Sequence, residues 1–212
     1  MERSGRKRLF SAPLSGGPVT DLEYVEQSLF LPSGKERMEA FFEDELLRRI
    51  LPEVYRLEDV PQPPDYHPEG DALIHSLLAV RHLPEDPDRR LAWAALLHDV
   101  GKALVTREIN GRIRAFGHDR EGAKLAAKIL NRLGMEERTA ADVEWLIRHH
   151  MFALSWQIEE AEKLTRRQWR FIEDRRFPLL LDLMEIDSLA AGGNPEKLEQ
   201  VDFYRGARSL LG

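Results

Sequence analysis

Seven histidines, His67, His75, His82, His98, His118, His149 and His150, all fall between positions 67 and 150, about two-fifths of the 212-residue chain. With acidic residues among them they offer imidazole nitrogen and carboxylate oxygen. That borderline-hard ligand set suits Mn, Fe, Co, Ni, Zn or Mg, with positions left open for water. The chain has no cysteine, which excludes disulfides, thiolate zinc sites and a cysteine nucleophile. His98 and Asp99 stand side by side at the end of the apolar run Ala92-Trp93-Ala94-Ala95-Leu96-Leu97. An ionised carboxylate buried there is costly unless it is paired or bound to a cation. Taken alone, the dipeptide reads as a helix-ending His beside a capping Asp.

The elements that must position these groups read almost entirely as helix. Thr20 with Glu23 forms a capping box for a segment running to Leu31, where Pro32 stops it. Ser33 with Glu36 forms a second box, and Met38, Phe41, Phe42, Leu46 and Ile50 recur at helical spacing up to Pro52. The stretch Val60 to Pro68 carries four prolines and is expected to be a rigid irregular connection. Asp71 caps a helix over 72–82. It shares a face with His75, so it could also orient that imidazole or approach a metal. Residues 89–99 read as a central buried helix ended by Gly101. Asn110-Gly111 marks a turn, with a small hairpin over 109–114. Further helices are expected at 119–133, 139–151, 166–175, 178–191 and 195–210, with Thr165 and Asn194 as caps and Pro195 at a first helical position. The fold class expected is all-α: a helical bundle with extra N- and C-terminal helices.

The net charge of −6 supplies no global field for nucleic acid, and no apolar run is long enough for a membrane span. Residues 1–18 are basic and then rich in Ser, Gly and Pro, with no apolar stretch of a signal peptide. They are expected to be a flexible tail on a cytoplasmic protein. The division expected is 1–18 tail, 19–60 helical segment, 61–192 metal-binding domain and 193–212 a C-terminal helix packed on it.

The order of motifs narrows this reading. Ile74-His75-Ser76-Leu77 comes first, then Leu97-His98-Asp99-Val100-Gly101-Lys102, then Phe116-Gly117-His118, Ile147-Arg148-His149-His150 and finally Glu185-Ile186-Asp187-Ser188-Leu189. This resembles the HD superfamily of metal-dependent phosphohydrolases. With Tyr66-His67-Pro68-Glu69-Gly70-Asp71 and Leu91 to His98 it is similar, over about residues 20–191, to the HD domain of the CCA-adding tRNA nucleotidyltransferases. Neither a Gly-Ser nucleotide loop nor an Asp-x-Asp pair followed by strands is present, so the chain is expected not to add nucleotides.

The resemblance implies an HD-domain bundle in which His75, His98, Asp99 and Asp187 hold a first divalent metal. Asp99 would bridge to a second held by His118 and one member of the His149-His150 doublet. His149 is taken as the ligand and His150 as a neighbouring or substrate group, since helix neighbours point about 100° apart. One or two ions are implied, of Mg, Mn, Fe, Co or Ni. Asp182 is the competitor for the distal position. Asp99 and Lys102 are the expected catalytic residues. Lys102, Arg114, Arg148 and His150 are expected to contact a phosphorylated substrate, because Arg grips phosphate with two donors. For Lys102 the plainer reading is a helix-end cation facing the dipole. Arg112, Arg114 and Arg148 each read alone as surface charge. His82 reads as structural and His67 as a loop residue facing solvent. Trp93, Trp145, Trp156 and Trp169 read as core, and Glu159 to Arg167 as a solvated face.

The activity implied is cleavage of phosphoesters of nucleotides or RNA ends by metal-activated water, as a 2′,3′-cyclic phosphodiesterase or nucleotidase. The rivals are hydrolysis of dNTPs, guanosine tetraphosphate or cyclic dinucleotides, a non-catalytic module binding tRNA or protein, and an oxygenase. The oligomeric state is not legible.

Overall fold

A computed structural model describes residues 18–65, 67–156 and 160–210. The expected tail, the basic Arg3 to Arg8, Tyr66, Glu159 and the last two residues lie outside the described residues. The chain is all-α apart from one small hairpin. Helix α6 (Arg89–Leu97) explains the architecture: every residue from Leu91 to Leu97 is buried. A helix with no polar face must be enclosed. It packs against α5 (Ala72–Arg81), α9 (Glu137–His149) and α11 (Phe177–Ala190). Around these four lie α8 (His118–Leu133) on α9, α12 (Pro195–Ser209) on α11, and α2 (Gly34–Glu43) on α5.

The caps form as the sequence suggests. Thr20 and Ser33 complete capping boxes for α1 (Asp21–Leu29) and α2, Thr165 caps α10 (Arg166–Ile172), and Asn194 caps α12. Asp71 accepts from the backbone N–H groups of Leu73 and Ile74, and its other oxygen accepts from Asp59 N. Both of its oxygens thus serve backbone, not a metal.

Three features differ from the expected elements. The helix expected between Gly34 and Pro52 is broken at Asp44, whose carboxylate caps a new helix, α3 (Glu45–Ile50), and accepts from Tyr24 Oη. Pro52 begins a short helix, α4 (Pro52–Tyr55), instead of only ending one, which suits its fixed φ. After α6 the chain passes through a turn at His98 to Gly101 into the short α7 (Lys102–Val105). The hairpin pairs β1 (Arg107–Ile109) with β2 (Arg112–Arg114), and Asn110 and Gly111 both take positive φ. That is the geometry a tight two-residue connection requires.

The N-terminal helices are tied to the centre by polar contacts. Glu26 on α1 accepts from Trp93 Nε1 at 2.9 Å and from Arg89 Nε at 2.6 Å. Arg37, fully buried, donates to the carbonyls of Leu31, Leu83 and Glu85. Those bonds satisfy a charge that would otherwise be too costly to bury.

Candidate metal centre

The site forms where α5, the turn after α6, the start of α8, the end of α9 and the C-terminal half of α11 meet. His75 on α5 places Nε2 2.9 Å from Asp187 Oδ1 on α11, 3.2 Å from His98 Nε2 and 3.5 Å from Asp99 Oδ2. His98 Nε2 is 3.3 Å from Asp99 Oδ2. The other oxygen, Asp99 Oδ1, faces a second pair, lying 3.4 Å from His118 Nε2 and 4.0 Å from His150 Nε2. Asp99 therefore divides its two oxygens between two imidazole pairs.

The donor set fits divalent metal. His98, His118 and His150 each set Nδ1 against a backbone carbonyl, of Ala95, Ala115 and Ile147, at 3.0, 2.8 and 2.7 Å. A carbonyl only accepts, so Nδ1 carries the proton and each Nε2 presents a bare lone pair. His118 Nε2 and His150 Nε2 nonetheless face each other at 3.2 Å, beside the carboxylate oxygen. Three acceptors converging in a buried site need a cation. Glu69 Oε2 is likewise buried without a hydrogen bond, and Asp99 Oδ2 has no aligned hydrogen bond although Lys102 Nζ lies 2.7 Å away.

Charge at the site points the same way. Asp99 and Asp187 are held well below the ordinary carboxylate range. Burial opposes ionisation of both, but the Lys102 ammonium outweighs it at Asp99, and His75 and Lys197 at Asp187. His75 is pushed up to about 9: burial disfavours its charge, and Asp187 and Glu69 overcome that. Its proton supplies positive charge where a cation would. Burial pushes His150 down to about 3, keeping it neutral and able to ligate.

The surroundings hold residues that the sequence reading passed over. Glu69 Oε1 lies 2.6 Å from His75 Nδ1, without the alignment of a hydrogen bond, and 2.8 Å from His67 Nδ1. A carboxylate behind a ligating imidazole fixes its orientation and raises its basicity. Gln62, buried in the proline connection, accepts from Lys102 Nζ and donates to Glu69 Oε1. That connection is thus a wall of the site. His67 is half-buried with its ring edge-on to His75, 4.8 Å away, and does not simply face solvent. Burial, with Lys102 adding to it, pushes His67 down to about 4. Lys102 is buried and 2.7 Å from Asp99 Oδ2, so it is no solvated helix-end cation. Asp182 pairs with Arg205 at the surface, which removes it as the inner carboxylate. The side chains of Arg114 and Arg148 make no hydrogen bond or ion pair among the described residues.

His149 is a correction. It does not join Asp99 and His118; His150 does. His149 sets Nδ1 on Trp145 O and lies against the rings of Trp145 and Phe171. The physical reason is periodicity. Val143, Leu146, Ile147 and His150 recur at helical spacing along the buried face of α9. We expect His150→Ala to weaken binding of a second Mn2+ by more than the roughly 10–100-fold that losing an outer partner costs. His149→Ala should leave the metal stoichiometry intact. Calorimetric titration compares the two, and equal losses would restore His149.

These features define an all-helical bundle in which His and Asp side chains from five segments converge in groups that could hold a metal ion. The chain belongs to the HD domain family, whose model matches residues 65–192; members are in general metal-dependent hydrolases. Relatives called multifunctional CCA protein are 38% identical over 131 residues in Halorhodospira halophila, covering 61% of this chain and 31% of the relative. In Aromatoleum aromaticum the figures are 34% over 155 residues, 71% and 38%. In Pasteurella multocida they are 28% over 188 residues, 84% and 43%. The chain thus spans less than half the length of these relatives. No helix among the described residues is long and apolar enough to cross a membrane.

Proposed function

We propose that the protein is a metal-dependent phosphohydrolase acting on phosphoesters of nucleotides or RNA ends, as a 2′,3′-cyclic phosphodiesterase or nucleotidase. The observation that carries this reading is Asp99, with one oxygen on each of two imidazole pairs and Lys102 against it. His75, His98, Asp99 and Asp187 would hold one metal ion, and Asp99, His118 and His150 a second. When bound, divalent metal activates water and neutralises charge on phosphate oxygens. Lys102, fixed between Asp99 and Gln62, is placed to donate to a non-bridging phosphate oxygen. Glu69 holds His75 in orientation. The relatives' name, multifunctional CCA protein, agrees with the resemblance to CCA-adding tRNA nucleotidyltransferases, and that resemblance favours a substrate at a nucleotide or RNA end.

The test is turnover by metal-stripped protein of bis-p-nitrophenyl phosphate, 2′,3′-cyclic AMP, 2′-AMP and dNTPs, with Mn, Mg, Co and Ni restored separately. Metal-dependent release from the cyclic phosphate or the monoester is the expected result. Stoichiometric metal binding with no turnover of any substrate would sink the reading in favour of a binding module.

A further inference from the structure

Beside the metal centre lies a cleft of about 710 Å³, within the roughly 300–1,000 Å³ of small-molecule sites. It begins one residue from the cluster: His149 precedes His150, and Asp119 and Arg120 follow His118. Met151 lines this cleft and also a smaller cavity floored by His150, Asp187 and Lys197.

The lining combines two chemistries. Arg120, Arg148 and Arg167 all line it, and none has an ion-pair partner among the described residues. Some other arginines are matched, as Arg48 is to Glu58, Arg132 to Glu53 and Arg205 to Asp182, but what sets these three apart is that they share one cleft. Three guanidinium groups without an ion pair among the described residues, gathered around one cleft in a chain of net charge −6, favour an anionic ligand there. Among the described residues Asp119 is the sole carboxylate in the lining, and it too has no ion pair there. The second chemistry is aromatic. Trp156 and Phe171 lie 5.4 Å apart between ring centroids, and Phe171 and His149 5.2 Å; all three rings are only partly buried. Phe171 is already stacked on Trp145 and Trp156 packs on Phe152 and Tyr204; the ring surface these three leave to the cleft is what a planar base would meet.

Lys102, assigned above to the phosphate that would be cleaved, sits on Asp99 Oδ2 and Gln62 and does not line this cleft, so the arginines would meet another anion. We propose that this cleft takes the nucleotide flanking the scissile phosphate, its base against Trp156, Phe171 and His149 and its own phosphate on Arg120, Arg148 and Arg167. The flanking position rests on the hydrolase reading above. The substrate then carries at least two phosphates, as an RNA end or a nucleoside bisphosphate does, and a lone mononucleotide uses only part of the site.

The experiment needs no turnover. Metal-stripped full chain is titrated with adenosine 3′,5′-bisphosphate, AMP and inorganic phosphate, by calorimetry and by tryptophan fluorescence. The bisphosphate is expected to bind about tenfold or more tightly than AMP, and inorganic phosphate weakest. Arg167→Ala, at an exposed position that folding does not need, should raise the bisphosphate Kd about tenfold and flatten its salt dependence. Trp156→Phe should keep most of the affinity and lose the fluorescence change. A bisphosphate Kd equal to that of inorganic phosphate, or one untouched by Arg167→Ala, overturns the proposal while leaving metal-dependent hydrolysis standing. Tight binding with no turnover of any substrate by the metal-restored protein overturns the hydrolase reading and the flanking position with it.

Discussion

Asp99→Asn is expected to lower metal-dependent turnover on the order of 10³-fold, the scale of losing a group that stabilises charge in a transition state. The amide has the carboxylate's shape, so the change is one of charge and acceptor capacity. Asp99 Oδ2 faces His75, His98 and Lys102, while Oδ1 faces His118 and His150. An amide carries no charge and keeps one oxygen: whichever way it turns, one imidazole pair faces an NH2 group where the carboxylate offered an oxygen to a shared cation. Lys102 is then left with Gln62 alone, and removing one member of a buried ion pair costs about 3 kcal/mol. A second readout separates lost function from lost folding. Metal at a hundredfold above its Kd stabilises the native chain by about 2.7 kcal/mol, which is roughly 5 to 10 °C in Tm for a chain of this size. That metal-dependent rise should vanish in Asp99→Asn. A variant that retains both the rise and the turnover would remove Asp99 from the centre of the site.

How much of this was legible in the sequence depended on the range of the interaction. Local signals read well: capping boxes at Thr20 and Ser33, the enclosed helix around Trp93 and the Asn110-Gly111 turn all form as expected. Each is decided within a few residues of chain. The order of His75, His98, Asp99, His118 and Asp187 was legible through the family resemblance, not through geometry, because these residues meet only when five segments pack. Glu69 and Gln62 gave no signal, since an irregular proline connection has no period from which to infer a buried face. Trp156, expected as core, does pack against it beside Phe152, Phe171 and Tyr204; that it also borders a cleft is a tertiary fact. His150 was different. The apolar spacing Val143, Leu146, Ile147 already pointed to position 150, and the choice of His149 overlooked it.

The same chemical change, glycine to alanine, should have opposite signs at two positions, and the contrast tests how the metal centre is assembled. A Cβ on Gly101 would lie 2.2 Å from His118 O, 2.5 Å from Gly122 N and 2.9 Å from Gly122 Cα. All three are backbone atoms, so no side chain can swing away. Relief requires α8 to move more than 1 Å from the turn that carries His98 and Asp99, given that ordinary contact begins near 3.4 Å. Overpacking of this kind costs about 3 kcal/mol or more, roughly 6 to 12 °C in Tm. Gly206 sits within α12 with nothing within 4 Å of its added Cβ. There alanine should stabilise by about 0.5–1 kcal/mol, because it spares the entropy that glycine loses in a helix. The functional consequence follows from where the strain falls. His118 begins α8, and its Nε2 reaches Asp99 Oδ1 only because Gly101 and Gly122 let the two backbones touch. Gly101→Ala should therefore weaken metal binding that would rest on Asp99, His118 and His150 more than binding that would rest on His75, His98 and Asp187. Two-site Mn2+ titration of the folded variant reads this directly. Equal weakening of both sites would mean that the glycine contact serves stability alone.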